Sequence, residues 1–174
     1  MIRKATEKDT PLIAKLYDDV IDYQSANGSY MSWIKGVYPT KATADTALAL
    51  DTLYVYDSEG SVFGSVILDC VQPDDYKNIS WATANSDSPA LIIHTLCVDP
   101  EHMGIGIASE MLTFAKKLAK KLNCSSIRLA TNSKNIGAIR LYEKNEFSIV
   151  GYNTSLLDGK INCPRQCFME HIID

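Results

Sequence analysis

Apolar and polar positions follow two different periods along this chain, and the change from one to the other is sharpest near its middle. Leu91 to Val98 is a continuous apolar run broken only by His94 and Thr95, the pattern of a strand buried on both faces. Asp99-Pro100 ends it. From Gly104 onward Ile107, Met111, Phe114, Ala115, Leu118 and Leu122 recur at intervals of three and four, which predicts an amphipathic helix. Upstream, Ile2 to Ala5 predicts a short first strand. Thr6 or Asp9 can cap the helix that follows, whose buried face is expected at Leu12, Leu16, Val20 and Tyr23. Asn27-Gly28 marks a turn. A second, alanine-rich helix is expected from Lys41 to about Leu50, then a hairpin of strands Leu53 to Tyr56 and Val62 to Asp69 around Asp57-Ser58-Glu59-Gly60. Residues 70–90, with Pro73, Asn78, Asn85 and Pro89, predict a long irregular connection, and Tyr76 and Trp81 within it favour a lid. After the central helix, Ser126 to Thr131 predicts a strand, Asn135 caps a short helix through Lys144, and Phe147 to Leu156 and Arg165 to Ile172 end the chain as strands across a turn at Asp158-Gly159.

Composition narrows the function classes. At 174 residues and 46% hydrophobic content, one domain over residues 1–174 can bury an ample core. The formal charge is −4, with no basic run, so nucleic acid is not expected as a partner. The N-terminal residues carry no apolar signal region and no apolar run approaches the ~20 residues that span a bilayer, so no membrane is expected and a cytoplasmic location is. Cys70, Cys97, Cys124, Cys163 and Cys167 are odd in number and scattered, which fits reduced thiols. With three histidines and no paired cysteine spacing, no metal site is expected.

Between the central strand and its helix lies Met103-Gly104-Ile105-Gly106-Ile107-Ala108. Free N–H groups and a partial positive charge at a helix start, behind glycines without Cβ, favour an anion site, against the alternative of a plain turn. A dinucleotide turn would want glycine or alanine at Ser109 and a carboxylate ending the next strand, where the chain has Leu129-Ala130-Thr131-Asn132. No Gly-Lys-Ser/Thr follows for a nucleoside triphosphate.

A second landmark lies thirty residues downstream, Asn135-Ile136-Gly137-Ala138-Ile139-Arg140-Leu141-Tyr142 through Phe147. With Val98-Asp99-Pro100 and the glycine loop, it resembles the GNAT superfamily of N-acetyltransferases. The first motif of that family runs strand, Val-x-Pro, Arg or Gln, Gly-x-Gly-x-Gly or Ala. Its second, Asn-x-x-Ala-x-x-Leu-Tyr-x-x-x-Gly-Phe, is matched at Asn135, Ala138, Leu141, Tyr142 and Phe147. Met103 replaces the basic or amide residue that opens the loop. Glu146 replaces the glycine before Phe147, and Asn145 is expected to take the left-handed conformation in its stead.

The resemblance implies an α/β (mixed α+β) fold: a twisted, mostly antiparallel sheet of six to seven strands with a splayed parallel central pair, flanked by about four helices. It implies acetyl-coenzyme A as donor, with the pyrophosphate on Met103, Gly104, Ile105, Gly106, Ile107, Ala108 and Ser109. The pantetheine arm would pair with backbone of Leu96, Cys97 and Val98, with Asn135, Ala138 and Tyr142 beside it. Val98 N–H would polarise the thioester carbonyl, and Tyr142 would be the general acid. His94, four residues before Val98, shares its face if the strand alternates without a bulge; arylalkylamine acetyltransferases are similar in carrying a histidine there, so His94 is the candidate base. A base is needed because an amine with pKa ~10.4 is only about one part in a thousand neutral at pH ~7.4, a cost of roughly 4 kcal/mol. Tyr30, Trp33, Tyr38 and Trp81 are the candidate acceptor-binding aromatics. The expected acceptor is a small-molecule primary amine, the alternatives being a protein N-terminus or lysine, or a domain that senses acetyl-coenzyme A without turnover. Exposed edge strands leave a homodimer open.

Overall fold

A computed structural model describes residues 1–28, 32–84, 86–157 and 161–173, with side chains at 154–157 and 161–164 set aside. The turn expected at Asp158-Gly159 lies outside the described residues. Contacts divide the chain into two compact units. One contains Met1–Ser29, Trp33–Leu68 and Ile93–Phe114; the other contains Asp69–Ile92 and Ala115–Asp174. Strand and helix pass from one unit to the other within the central strand and its helix.

In the first unit, β1 (Ile2–Lys4) pairs antiparallel with β2 (Leu53–Ser58), which pairs antiparallel with β3 (Ser61–Asp69). The turn between β2 and β3 closes on Asp57, whose Oδ1 accepts the Gly60 N–H at 2.9 Å. Helices α1 (Thr10–Ala26) and α2 (Lys41–Ala49) follow β1. The buried face of α1 is Ile13, Leu16, Tyr17, Val20 and Ile21, while Leu12 and Tyr23 are exposed. The expected stripe was therefore rotated by about one residue, because Ile13, Tyr17 and Ile21 form their own i, i+4 row. Asp9 stands at the N-cap of α1, its carbonyl accepting Ile13 N–H at 2.8 Å, but its side chain makes no capping bond. Its carboxylate turns back to accept from the Arg3 guanidinium at 2.8 and 2.9 Å and from Thr6 N–H at 2.7 Å. The Arg3 bonds hold the Asp9 carboxyl down at about 2, so β1 is tied to the start of α1 by a charge-assisted clasp.

The central strand β4 (Ala90–Val98) leads to a 3-10 turn at Pro100–His102, the glycine loop, and α3 (Ile107–Lys121). The helix begins at Ile107, past both glycines. Its buried positions are Ile107, Met111, Leu112, Ala115 and Ala119, and Leu122 lies beyond its end, exposed. A Cβ at Gly64 of β3 would meet Met111 Sδ at 2.9 Å and Cys97 O at 3.3 Å, so glycine is what lets the helix lie this close to the strand.

In the second unit β5 (Ser126–Asn132) pairs parallel with the start of β4 and antiparallel with β7 (Ile161–Ile172), which pairs antiparallel with β6 (Ser148–Leu157); α4 (Ile136–Lys144) joins β5 to β6. The strand order through the shared strand is β1-β2-β3-β4-β5-β7-β6, seven strands with β4 and β5 parallel and four α-helices among the described residues, as the resemblance implies.

The connection 70–90 is not the irregular lid that its composition predicts. Asp74–Asn78 is a 3-10 turn, and Tyr76 and Trp81 stack at 5.2 Å with Phe168 edge-on to both, in a core with Ile79 and Ile92. The Arg128 guanidinium lies 4.6 Å from the Trp81 ring centre. It donates to Glu170 Oε1 at 3.0 Å, Gln72 Oε1 at 2.6 Å and Thr83 Oγ1 at 2.9 Å. Glu170 also accepts from Ala82 N–H at 2.7 Å and Thr83 Oγ1 at 2.6 Å. Burial alone would raise the Glu170 carboxyl, but these bonds outweigh it and hold it below the usual range. A buried ion pair in which each Arg128 nitrogen and both Glu170 oxygens have a partner thus anchors the connection to β5 and β7.

Candidate functional site

The ladder between β4 and β5 runs Ala90–Ser126, Leu91–Ile127, Ile92–Arg128 and stops. Residues 93–98 of β4 therefore present backbone groups that β5 does not pair. Three residues past the end of the ladder, Thr95 sits at φ 45°, a left-handed conformation strongly disfavoured for a β-branched residue. The kink breaks the alternation. Leu91, Ile92 and Ile93 are all buried, His94 and Leu96 are half-buried, and Thr95, Cys97 and Val98 are buried. The condition on which His94 was assigned to the face of Val98, an unbroken strand, is thus not met. The Cys97 thiol is pushed up to about 12 by burial, which keeps it a neutral, unreactive thiol.

After Val98, Asp99 organises the turn. Its Oδ1 accepts Glu101 N–H at 3.0 Å, its Oδ2 meets His102 Nδ1 at 3.0 Å, and the His102 ring stacks on Phe63 at 3.9 Å. Gly104 and Gly106 then adopt φ 81° and 102°, and a Cβ at either would have nothing within 4 Å. These glycines serve the backbone path and leave the space in front of the loop open. Met103 and Ile105 point outward, 39% and 68% exposed. Ala108 and Ser109, in the first turn of α3, are half-buried.

In the second unit Asn135 caps α4, its Oδ1 accepting Ala138 N–H at 3.2 Å. Tyr142, one turn after Ala138, is 8% exposed and packs edge-on to Phe147 at 5.9 Å. Burial pushes its phenol up to about 12. At the end of α4 it is Glu146 that takes the left-handed conformation, φ 66°, while Asn145 stays at φ −98° and donates its side-chain amide to Leu141 O at 2.8 Å. The expected exchange between these two fails because Asn145 is more useful as a helix C-cap, and Glu146 reaches Lys116 at 2.7 Å from its strained position. A cleft of about 430 Å³ lined by Asn132, Ser133, Lys134, Tyr152 and Arg165 opens beside the start of α4.

The acceptor aromatics fare unequally. Trp33 is half-buried, edge-on to Tyr17 at 6.2 Å, and Tyr38 is half-buried in a bridge to Ile34. Tyr30 lies outside the described residues. Trp81 belongs to the core of the second unit, 6% exposed, with its indole N–H given to Tyr76 O at 2.8 Å; ring and polar edge are both already used. Tyr17 escaped the sequence reading, although its place four residues after Ile13 on the buried face was the available signal. Among the described residues no group of three His, Cys, Asp or Glu side chains is placed to hold a metal, and no helix is long and apolar enough to cross a membrane.

The sequence profile of the Acetyltransferase (GNAT) family matches residues 16–147. A streptothricin acetyltransferase of Escherichia coli is 30% identical over 95 residues, 55% of this chain and 51% of that protein, so the chain spans about half the length of this curated relative. Among solved structures, a GNAT-family acetyltransferase of Streptococcus agalactiae superposes with TM-score 0.80 at 16% identity, covering 100% of this chain and 95% of the other. The protein yncA of Salmonella typhimurium, solved with its cofactor acetyl-CoA, gives TM-score 0.67 at 17% identity, covering 100% and 94%. A ribosomal-protein-alanine N-acetyltransferase of Brucella melitensis gives 0.71 at 17%, covering 99% of each chain.

Proposed function

Because the chain belongs to the GNAT acetyltransferase family, we propose that it is an acetyl-CoA-dependent N-acetyltransferase acting on a primary amine of a small molecule. The observation that carries this reading is the β4 segment 93–98, unpaired by β5 and leading into an open glycine loop. Bound there, acetyl-CoA supplies an activated acetyl thioester. Backbone groups of Leu96, Cys97 and Val98 hold the pantetheine arm as an added strand. N–H groups from Met103 to Ser109, at the start of α3, hold the pyrophosphate. Loss of a basic side chain at Met103 leaves that task to the backbone. Asn135 and Ala138 fix the start of α4, small at Ala138 where the arm passes. Val98 N–H polarises the thioester carbonyl. Tyr142, protonated throughout the physiological range, hydrogen-bonds the departing thiolate, and His94 takes the amine proton directly or through water.

Trp33 and Tyr38, both half-buried, supply aromatic surface suited to an apolar or cationic amine. The streptothricin acetyltransferase relative supports a small-molecule acceptor; the Brucella neighbour is the reason to keep a protein N-terminus as the second reading. A thermal-shift titration with acetyl-CoA, followed by thiol release across polyamines, arylalkylamines, streptothricin, amino acids and N-terminal peptides, tests both. Stabilisation with turnover only on peptides overturns the small-molecule acceptor. Stabilisation without any turnover leaves a sensor, and no stabilisation overturns the whole reading.

A further inference from the structure

The turn that opens the glycine loop is built around an imidazole that the mechanism above does not use. His102 Nδ1 meets Asp99 Oδ2 at 3.0 Å, and the ring lies on Phe63 of β3 with centres 3.9 Å and planes 27° apart. The backbone closes the same cluster. Asp99 O accepts His102 N–H and Phe63 O accepts Asp99 N–H, each at 2.9 Å. The Asp99 and His102 side chains are both half-buried. An imidazole already held by a carboxylate and a ring face has little freedom left to lose when it meets a ligand.

Side-chain charge in this stretch runs the wrong way for a phosphate site. From Asp99 to Phe114 the chain carries Asp99, Glu101 and Glu110, the last in the first turn of α3, and no lysine or arginine. Carboxylates oppose a nearby pyrophosphate, and the N–H groups of a helix start carry only partial positive charge against them. Met103 adds none. His102, the residue before it, is the one side chain of the stretch able to carry a positive charge. The charged groups around His102 are Asp99 and Glu101 of its own turn and, from α1, Lys15, which feels both carboxylates and is itself paired with Asp19. From β3 it meets the uncharged Phe63.

A carboxylate can only accept, so the Asp99 contact fixes the proton of the neutral ring on Nδ1 and leaves a lone pair at Nε2. A second proton turns Nε2 into a donor and gives the ring its charge. A carboxylate on one side and a phosphate on the other both favour that form.

We propose that His102, protonated when acetyl-CoA is bound, is the cation of the phosphate site and shares with the loop backbone the task that a basic side chain at position 103 would have had. Asp99 and Phe63 position it. The inference rests on the acetyltransferase reading and adds to it that cofactor binding takes one proton from the buffer onto His102 Nε2.

Coenzyme A alone is the probe, so no acceptor has to be known. At pH ~7.5, above the ordinary histidine value of ~6.5, calorimetric titration in buffers of different ionisation enthalpy should show greater proton uptake by wild type than by His102→Gln. The ionisation of the cofactor's own phosphates is common to both proteins and cancels. His102→Gln should also bind coenzyme A about tenfold more weakly, as expected for loss of a charge-assisted hydrogen bond. Met103→Arg added to His102→Gln should restore the Kd without restoring the uptake. Equal uptake by the two proteins overturns the proposal, even where Tm and affinity both fall, because a structural role for the ring moves those alone. An unchanged Kd overturns it too. If His102→Gln fails to fold, nitrogen-15 spectra of the three wild-type imidazoles decide. The ring whose signals survive both His94→Gln and His171→Gln should become protonated at both nitrogens when coenzyme A is added, and a ring that keeps its protonation overturns the proposal. Wild-type protein that binds no coenzyme A overturns the acetyltransferase reading and this inference with it, a result distinct from binding that is indifferent to residue 102.

Discussion

Replacing Tyr142 with Phe removes one hydroxyl from a ring that is 8% exposed and leaves its packing against Phe147 in place. Two magnitudes set the expected loss. With its phenol at about 12, Tyr142 is ionised to only about one part in 10⁵ at pH ~7, so the donor is always loaded. The same elevation makes it a reluctant donor. A departing thiol of pKa ~8.5 lies about 3.5 units below it, so complete proton transfer is uphill by roughly 5 kcal/mol. What remains is a hydrogen bond to developing negative charge, worth about 1.5–3 kcal/mol. Tyr142→Phe should therefore lower kcat by about 10- to 150-fold, short of the ~10⁴ that full general-acid catalysis can reach. Thiol release under saturating acetyl-CoA gives kcat, and equilibrium titration gives the cofactor Kd, expected unchanged. The alkaline side of the wild-type kcat profile should be free of any ionisation belonging to Tyr142 below pH ~10. A kcat within threefold of wild type would refute the assignment. An alkaline limb near pH 8–9 that disappears in the Phe variant would refute the effect of burial on the phenol.

Other expectations concern the scaffold and the base. Glu170→Gln should destabilise by about 3–5 kcal/mol, a fall in Tm of roughly 6–20 °C by calorimetry, because it leaves Arg128 charged and buried. The depressed Glu170 carboxyl contributes stability that is present above its unfolded pKa of ~4.3 and is lost as pH falls through its lower folded value. Wild-type Tm should accordingly drop on acidification below pH ~4, and the Gln variant should be flatter there. Gly64→Ala drives a methyl against Met111 Sδ and Cys97 O and should cost about 1–3 kcal/mol in urea unfolding. His94→Gln should lower kcat/KM with the Kd for acetyl-CoA unchanged, and an unchanged kcat/KM would assign the base elsewhere.

Local pattern was a good guide where local forces decide. The strand, loop and helix from Leu91 to Lys121, the hairpin around Asp57 to Gly60 and the cap at Asn135 all depend on neighbours within a few residues, and each was legible from them. The remainder depends on partners far along the chain. Arg128 and Glu170 are 42 residues apart, and nothing near Tyr76 or Trp81 marks them as core covers rather than lid aromatics. Thr95 is a sharper case. Its residue type argues for extended strand, so only its surroundings can impose a positive φ, and with that the inference from alternation to the facing of His94 lost its basis. At Glu146 the family pattern located the left-handed residue correctly, and preference by residue type pointed to the wrong neighbour.

The core around Trp81 has a spectroscopic consequence. The chain has two tryptophans, and they fall one in each compact unit, Trp33 in the first and Trp81 in the second. Trp33→Phe leaves emission that reports the second unit alone, from an indole shielded by Tyr76, Phe168 and Arg128. Fluorescence during denaturation, set beside far-ultraviolet circular dichroism of the whole chain, then asks whether the two units melt as one, without any label added to the protein.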